Sequence, residues 1–199
     1  MNGPVVGVAL PIPPPWGMHL QDLRVSYGEE RARHIPTHIT LMPPTPVDSG
    51  QIEPLQEHLS AVAREQAAFE VVLRGTGTFR PISDVVYIQV AQGVSSCEQL
   101  ERAVREGPVE RELLFPYHPH VTVVHDGPDE ALDRAFADLA AFTCRFEADS
   151  FRLYCHDGDG RWQVVEEFEL RAEGNPGSRD HAGSRDQATE REVAPMTSA

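Results

Sequence analysis

Two triplets of the form His-x-Thr, His38-Ile39-Thr40 and His120-Val121-Thr122, hold the residues whose types and spacing could do chemistry in this chain. Along an extended strand residues i and i+2 project from the same face. Each triplet therefore presents an imidazole and a hydroxyl together, while Ile39 or Val121 turns to the opposite, packed side. A histidine titrates near neutral pH, with a reference pKa of about 6.5, so one ring can accept a proton while another donates one. Two imidazoles and two hydroxyls facing one cleft would meet the needs of phosphodiester hydrolysis. One ring takes a proton from attacking water, the other protonates the departing oxygen, and the hydroxyls bind phosphoryl oxygens. This set calls for no metal and no other cofactor. A single His-x-Thr is an ordinary strand pair; the repetition carries the reading.

The elements around the triplets repeat as well. Residues 5–10 (VVGVAL) read as a buried strand ended by Pro11 and Pro13, since proline cannot donate to a ladder. A weakly amphipathic helix is predicted over 18–33, a strand over 38–42 closed by Pro43 and Pro44, and a helix over 51–68 capped by Asp48 or Ser49. Residues 69–79 resume a β pattern. A second round follows, with a strand over 85–90, a helix over 95–105, the strand 120–124 and a helix opened by Pro128. Two antiparallel strands, 145–154 and 161–170, are predicted to finish the domain around a turn at 156–160 that contains two Asp-Gly pairs. Val5 lies 33 positions before His38, and Val85 lies 35 before His120. The order is that of an internal duplication, whose halves would pack about a pseudo-twofold axis across a cleft.

Composition bounds the partners. The chain has 199 residues, 40% hydrophobic and 24% charged, as expected of one soluble globular domain over 1–171. From 172 to 199 the apolar residues disappear and GSRD occurs twice, so this stretch is expected to be a disordered tail. Seventeen Lys and Arg against 31 Asp and Glu give a formal charge of −14, which repels duplex DNA and anionic membranes. Cys97, Cys144 and Cys155 form no C-x-x-C pair, and no window suits a membrane span or a leader, so a reducing, cytoplasmic location and a monomer are expected.

With their flanks, PTHITLMPP at 36–44 and FPYHPHVTV at 115–123, the triplets resemble those of the two-histidine (2H) phosphoesterase superfamily, which includes the 2'-5' RNA ligase and RNA 2',3'-cyclic phosphodiesterase group. The resemblance implies an α+β, bilobal duplicated fold, with two antiparallel sheets lining a central cleft and helices on the outside. It also implies metal-independent cleavage of a 2',3'-cyclic nucleotide, a short RNA end or a related small cyclic phosphodiester, in some members with 2'-5' ligation. Carried over, His38 and His120 would be catalytic, leaning towards His120 as base and His38 as acid, although symmetry permits the reverse. Thr40 and Thr122 would hold the phosphate. By analogy Phe79 would stack on a base, Arg80 would meet phosphate, and Tyr117 and His118 would form pocket wall. No arginine follows the second triplet, which together with the negative charge favours a small ester over long RNA.

Rival readings are weaker. A non-catalytic nucleotide or RNA-end binding module would keep the same cleft. His118-Pro119-His120-Val121-Thr122 is one histidine short of a histidine-triad nucleotide hydrolase, which would also leave His38 unexplained. His125-Asp126 and His156-Asp157 lie at a strand end and in a turn rather than on metal-binding helices, and a zinc site from His34, His38, His118 and His120 has neither a helical i, i+4 pair nor a cysteine behind it. Gly75-x-Gly77 lacks the third glycine of a dinucleotide loop.

Overall fold

A computed structural model of the protein describes residues 3–156 and 161–172. The chain runs β1 (Val5–Pro11), α1 (Trp16–Ser26), β2 (His38–Pro46), α2 (Ile52–Glu65), β3 (Phe69–Thr78), β4 (Val85–Gln92), α3 (Val94–Arg105), β5 (His120–His125), α4 (Asp129–Asp138), β6 (Thr143–Ala148), β7 (Ser150–His156) and β8 (Gln163–Glu169). The strands form two antiparallel four-stranded sheets, ordered β2-β1-β7-β8 and β5-β4-β3-β6. This is the expected α+β architecture of two sheets. Residues 157–160, where the closing turn was expected, and 173–199, nearly all of the expected tail, lie outside the described residues.

The two longer helices bury the stripe that their spacing offers. α2 turns in Leu55, Leu59, Val62 and Ala63, and α3 turns in Cys97, Leu100 and Val104. The strands between them are apolar on their packed faces, and Leu10, Ile39, Leu73, Ile88, Val121, Val123 and Phe151 are fully buried. A fully buried Ile or Val contributes about 1.5–3 kcal/mol through burial. Ile39 and Val121, the middle residues of the two triplets, therefore anchor the motifs whose outer residues face the other way.

Four expectations need correction. The helix predicted over 18–33 ends at Ser26, because Gly28 adopts a left-handed φ of 91° just beyond it, and a short 3-10 turn, Glu30–Arg33, follows. Pro43 and Pro44 do not close β2, which continues to Pro46. As the edge strand of its sheet, bulged against β1 between Val6 and Ala9, it tolerates prolines that a central strand would reject. The strand predicted over 145–154 is two strands: β6 pairs with β3, and after Asp149 the chain crosses to pair β7 with β1. Buried Cys144, Phe146 and Ala148 alternate strictly, and the next buried residue is Phe151, so the alternation slips at the crossing. Finally, β3 does not complete the first sheet. It lies beside β4 in the second, while β7 takes the equivalent place beside β1.

Candidate active site

Each His-x-Thr strand is the outer strand of its sheet, hydrogen-bonded on one side to the first strand of its own round. His38 pairs with Pro11 and Thr40 with Ala9, while His120 pairs with Gln89 and Thr122 with Tyr87. The two outer strands contact each other, so the sheets meet along the edges that carry the motifs. The burial patterns match position by position: histidine and threonine half-buried, the residue between them and the two that follow buried. His38, Thr40, His120 and Thr122 all line one cavity of about 330 Å³.

The two rings are held in the same way. His38 Nδ1 lies 2.6 Å from the Pro36 carbonyl, and His120 Nδ1 lies 2.7 Å from the His118 carbonyl. A carbonyl can only accept, so Nδ1 carries the proton in both rings, and in the neutral form Nε2 holds the lone pair. Both anchors come from the residue two positions before the histidine, in the extended segment that leads into the strand. The backbone of each half thus fixes the tautomer and leaves Nε2 as the nitrogen with the lone pair.

Electrostatics set the rings apart. Burial pushes His38 down to about 4, opposed by its bond to Pro36 and aided by the charges of Arg24 and His120. His120 is also pushed down by burial, with the charge of His118 acting in the same direction and the bond to the His118 carbonyl opposing. Both rings are therefore mainly neutral bases in the free protein at neutral pH, and an anionic ligand would favour charging one of them.

The remaining sequence candidates separate into groups. Phe79 lines the cavity, its ring edge-on to His120 at 5.1 Å between centroids, and with Tyr87 and His118 it forms an aromatic cluster around His120. Gly77 makes room for this cluster, since a Cβ there would come within 2.5 Å of the Tyr87 ring. Arg80 is engaged elsewhere: its guanidinium pairs with Asp133 at 2.7 Å and Asp129 at 3.7 Å on α4, and it is not among the residues lining the cavity. Tyr117 and His118 line an adjoining cavity of about 430 Å³, which shares Thr40, Phe79 and His120 with the first. The Tyr117 hydroxyl donates to the Thr40 carbonyl at 3.0 Å, tying the approach to the second motif onto the strand of the first.

Trp162 and Arg24 are among the wall residues that a reading of the sequence misses. Trp162 lines the cavity from the segment before β8, 4.5 Å from His156 between ring centroids, and its sequence surroundings carry no signal for it. Arg24 lines it from α1 and is 95% buried. A signal did exist there, because Arg24 falls four residues after buried Leu20, on the apolar stripe where a charge is out of place. Among the described residues no group of three or more His, Cys, Asp or Glu is disposed to hold a metal ion, and no helix is long and apolar enough to cross a membrane.

Comparison with known proteins agrees with this architecture. A Geobacillus sp. (strain WCH70) protein named "Putative phosphoesterase" is 27% identical over 154 residues, covering 75% of this chain and 88% of its own. The crystal structure of E. coli LigT complexed with NADP+ superposes with a TM-score of 0.63 at 20% identity, over 86% of this chain and 99% of that one. TT0787 of Thermus thermophilus gives 0.58 at 20% identity, over 85% and 99%. At these identities the two structures speak for the fold. The sequence profile of the 2'-5' RNA ligase superfamily matches residues 12–160, most of the chain and both His-x-Thr strands. With two like sheets meeting at those strands, the chain belongs to the 2'-5' RNA ligase superfamily of two-histidine phosphoesterases.

Proposed function

We propose that the protein hydrolyses a small cyclic phosphodiester, a 2',3'-cyclic nucleotide or short RNA end, by general acid–base catalysis with His38 and His120. Thr40 and Thr122 donate their hydroxyls to the phosphoryl oxygens. The observation that carries the reading is the matched anchoring: both Nδ1 atoms are committed to backbone carbonyls in one cavity, leaving two Nε2 atoms for proton transfer. Such a pair can serve both ends of an in-line displacement at phosphorus without a metal. With a 5'-hydroxyl in place of water, the same pair would form a 2'-5' linkage.

Cavity size and charge favour a small substrate. About 330 Å³ lies at the lower end of the range for small-molecule sites, and the chain's charge of −14 opposes long nucleic acid. E. coli LigT has been solved with 3'-AMP and ATP as well as NADP+, which makes nucleotides the first ligands to test. Phe79 offers an aromatic face or edge beside His120 for a base.

The test is hydrolysis of a 2',3'-cyclic nucleotide by the parent protein, His38→Ala and His120→Ala, each with and without EDTA. Each substitution should lower the rate by about 10² to 10⁴, and chelation should change little. A parent protein that binds the ester without turnover would be a binding module. Unchanged turnover in both variants, or abolition by EDTA, would refute the two-histidine mechanism.

A further inference from the structure

A second cavity, of about 790 Å³, opens beside the catalytic one and shares Pro36 and Trp162 with it. Its lining carries Arg33, His34, Arg152 and Arg161 and, among the described residues, no Asp or Glu, in a chain whose formal charge is −14. The catalytic cavity and its neighbour under Tyr117 each include a glutamate as well as an arginine, Glu29 with Arg24 and Glu112 with Arg111. Cations without acids in the same wall make this the part of an acidic molecule suited to an anion.

Two chain segments build it. The Trp162 N–H meets the His34 carbonyl at 3.4 Å, and the arginines next to these residues, Arg161 and Arg33, line the cavity with them. Arg33 spends its Nε on Glu30 and Arg152 its Nε on Glu167, both at 3.0 Å, and neither carboxylate belongs to the lining. A guanidinium has five N–H donors, so a bond at Nε leaves further donors for a phosphate. Behind the wall, Arg24 Nη1 donates to the Ile35 carbonyl at 2.9 Å and approaches Gln21 Oε1 at 3.3 Å and Thr37 Oγ1 at 3.5 Å. Gln21 and Thr37 line the second cavity and Arg24 the first, so a guanidinium that is 5% exposed and bonded to neutral acceptors stands in the partition between them. Glu29 tempers its charge. Burial keeps salt from screening what remains, which favours an anion on either side.

We propose that this arginine-lined cavity is a second anion site, which takes a phosphate carried on the substrate's 5' oxygen while the cyclic ester lies between His38 and His120. The inference rests on the proposed two-histidine reaction and narrows its substrate to a nucleotide with phosphate at both ends, in place of a plain cyclic mononucleotide. Trp162 lines both cavities, so its indole stands where the nucleoside that links the two phosphates would pass. A free 5'-phosphate and the internucleotide phosphate of a short RNA end offer the same chemistry to the arginines. Either is held at contact range, whereas the overall charge of −14 still opposes a long polyanion at a distance.

Binding tests the site apart from catalysis. In calorimetric titrations, adenosine 3',5'-bisphosphate should bind the parent protein at least about 10-fold more tightly than 3'-AMP, and the double variant Arg33→Gln/Arg161→Gln should bring the two affinities within about 3-fold of each other. Equal affinities in the parent protein, or a preference that survives in the double variant, overturn the site. Both side chains are exposed, so their exchange is expected to leave the fold intact. Should the double variant nevertheless not fold, each single variant should lower the preference at least about 3-fold, and no lowering in either overturns the site as well. Kinetics then separate the two sources of the phosphate. kcat/KM is compared for 2',3'-cyclic AMP, for its 5'-phosphate and for a dinucleotide ending in the same cyclic ester. A gain of about 10-fold with the 5'-phosphate alone assigns a terminal phosphate, a gain with the dinucleotide assigns a short RNA end, and no gain with either overturns the proposal. Turnover of none of the three, with the binding preference intact, refutes the two-histidine reading and leaves the anion site standing.

Discussion

The half carrying His38 and the half carrying His120 are alike in backbone and unlike in charge. Both place the motif on an outer strand, bury the residue between histidine and threonine, and hold Nδ1 on a carbonyl two residues earlier. Beside these shared features, α1 sends a buried cation to the cavity wall, while α3 keeps its buried anion on an Arg105 partner away from it. Duplication of a backbone thus supplies two imidazoles anchored in the same way. Their surroundings differ through side chains outside the repeated motif: Arg24 is among the charges that lower His38, and His118 is the charge that lowers His120.

The largest effects should come from removing both carriers. If the halves act in one concerted displacement, the double variant His38→Ala/His120→Ala should be slowed about as much as the worse single variant. Losses that multiply would instead show the two rings acting in independent steps. Smaller effects are expected at the hydroxyls: Thr40→Val and Thr122→Val should each lower kcat/KM by about 10- to 100-fold, the range of a hydrogen bond to a charged group. Steady-state kinetics showing only one threonine to matter would break the symmetry at phosphate binding as well.

Stability should carry the asymmetry too. A histidine whose folded pKa is pushed from 6.5 to about 4 binds fewer protons folded than unfolded, so the native state loses stability as pH falls from about 6.5 towards 4 and is unaffected above that window. His120 acts with the same sign. Urea midpoints at pH 7.5 and 4.5 should therefore differ less in His38→Asn than in the parent protein, and an unchanged difference would count against a charge-excluding environment at His38. The smallest effect is expected where the halves are tied together. Tyr117→Phe removes the bond to the Thr40 carbonyl and should lower unfolding stability by about 1 kcal/mol.

Much of this was legible in the chain. Alternation located most strands, the spacing of Leu55, Leu59 and Val62 located α2, and the repeated triplets pointed to the four residues that the fold brings to one cavity. The strand predicted over 145–154 failed because its residues are β-forming throughout, and only the one-residue slip between Ala148 and Phe151 betrays the crossing at Asp149. Arg80 illustrates the opposite limit. Its neighbours in sequence suggest a cleft, yet Asp129 and Asp133, far along the chain, hold it on α4.

By itself, then, the sequence determined which faces are apolar, where the strands that carry His38 and His120 lie, and that each imidazole shares a face with a hydroxyl. These follow from periodicity and proline placement, which act over a few residues. Only the tertiary structure decided that β3 and β7 exchange sheets, that the two motif strands meet, and that Arg24 is a buried cation in the wall of the cavity the two rings share. Strand partners and the neighbours of a buried charge are settled between residues distant in the chain, where alternation tells a strand which side to bury but not against whom.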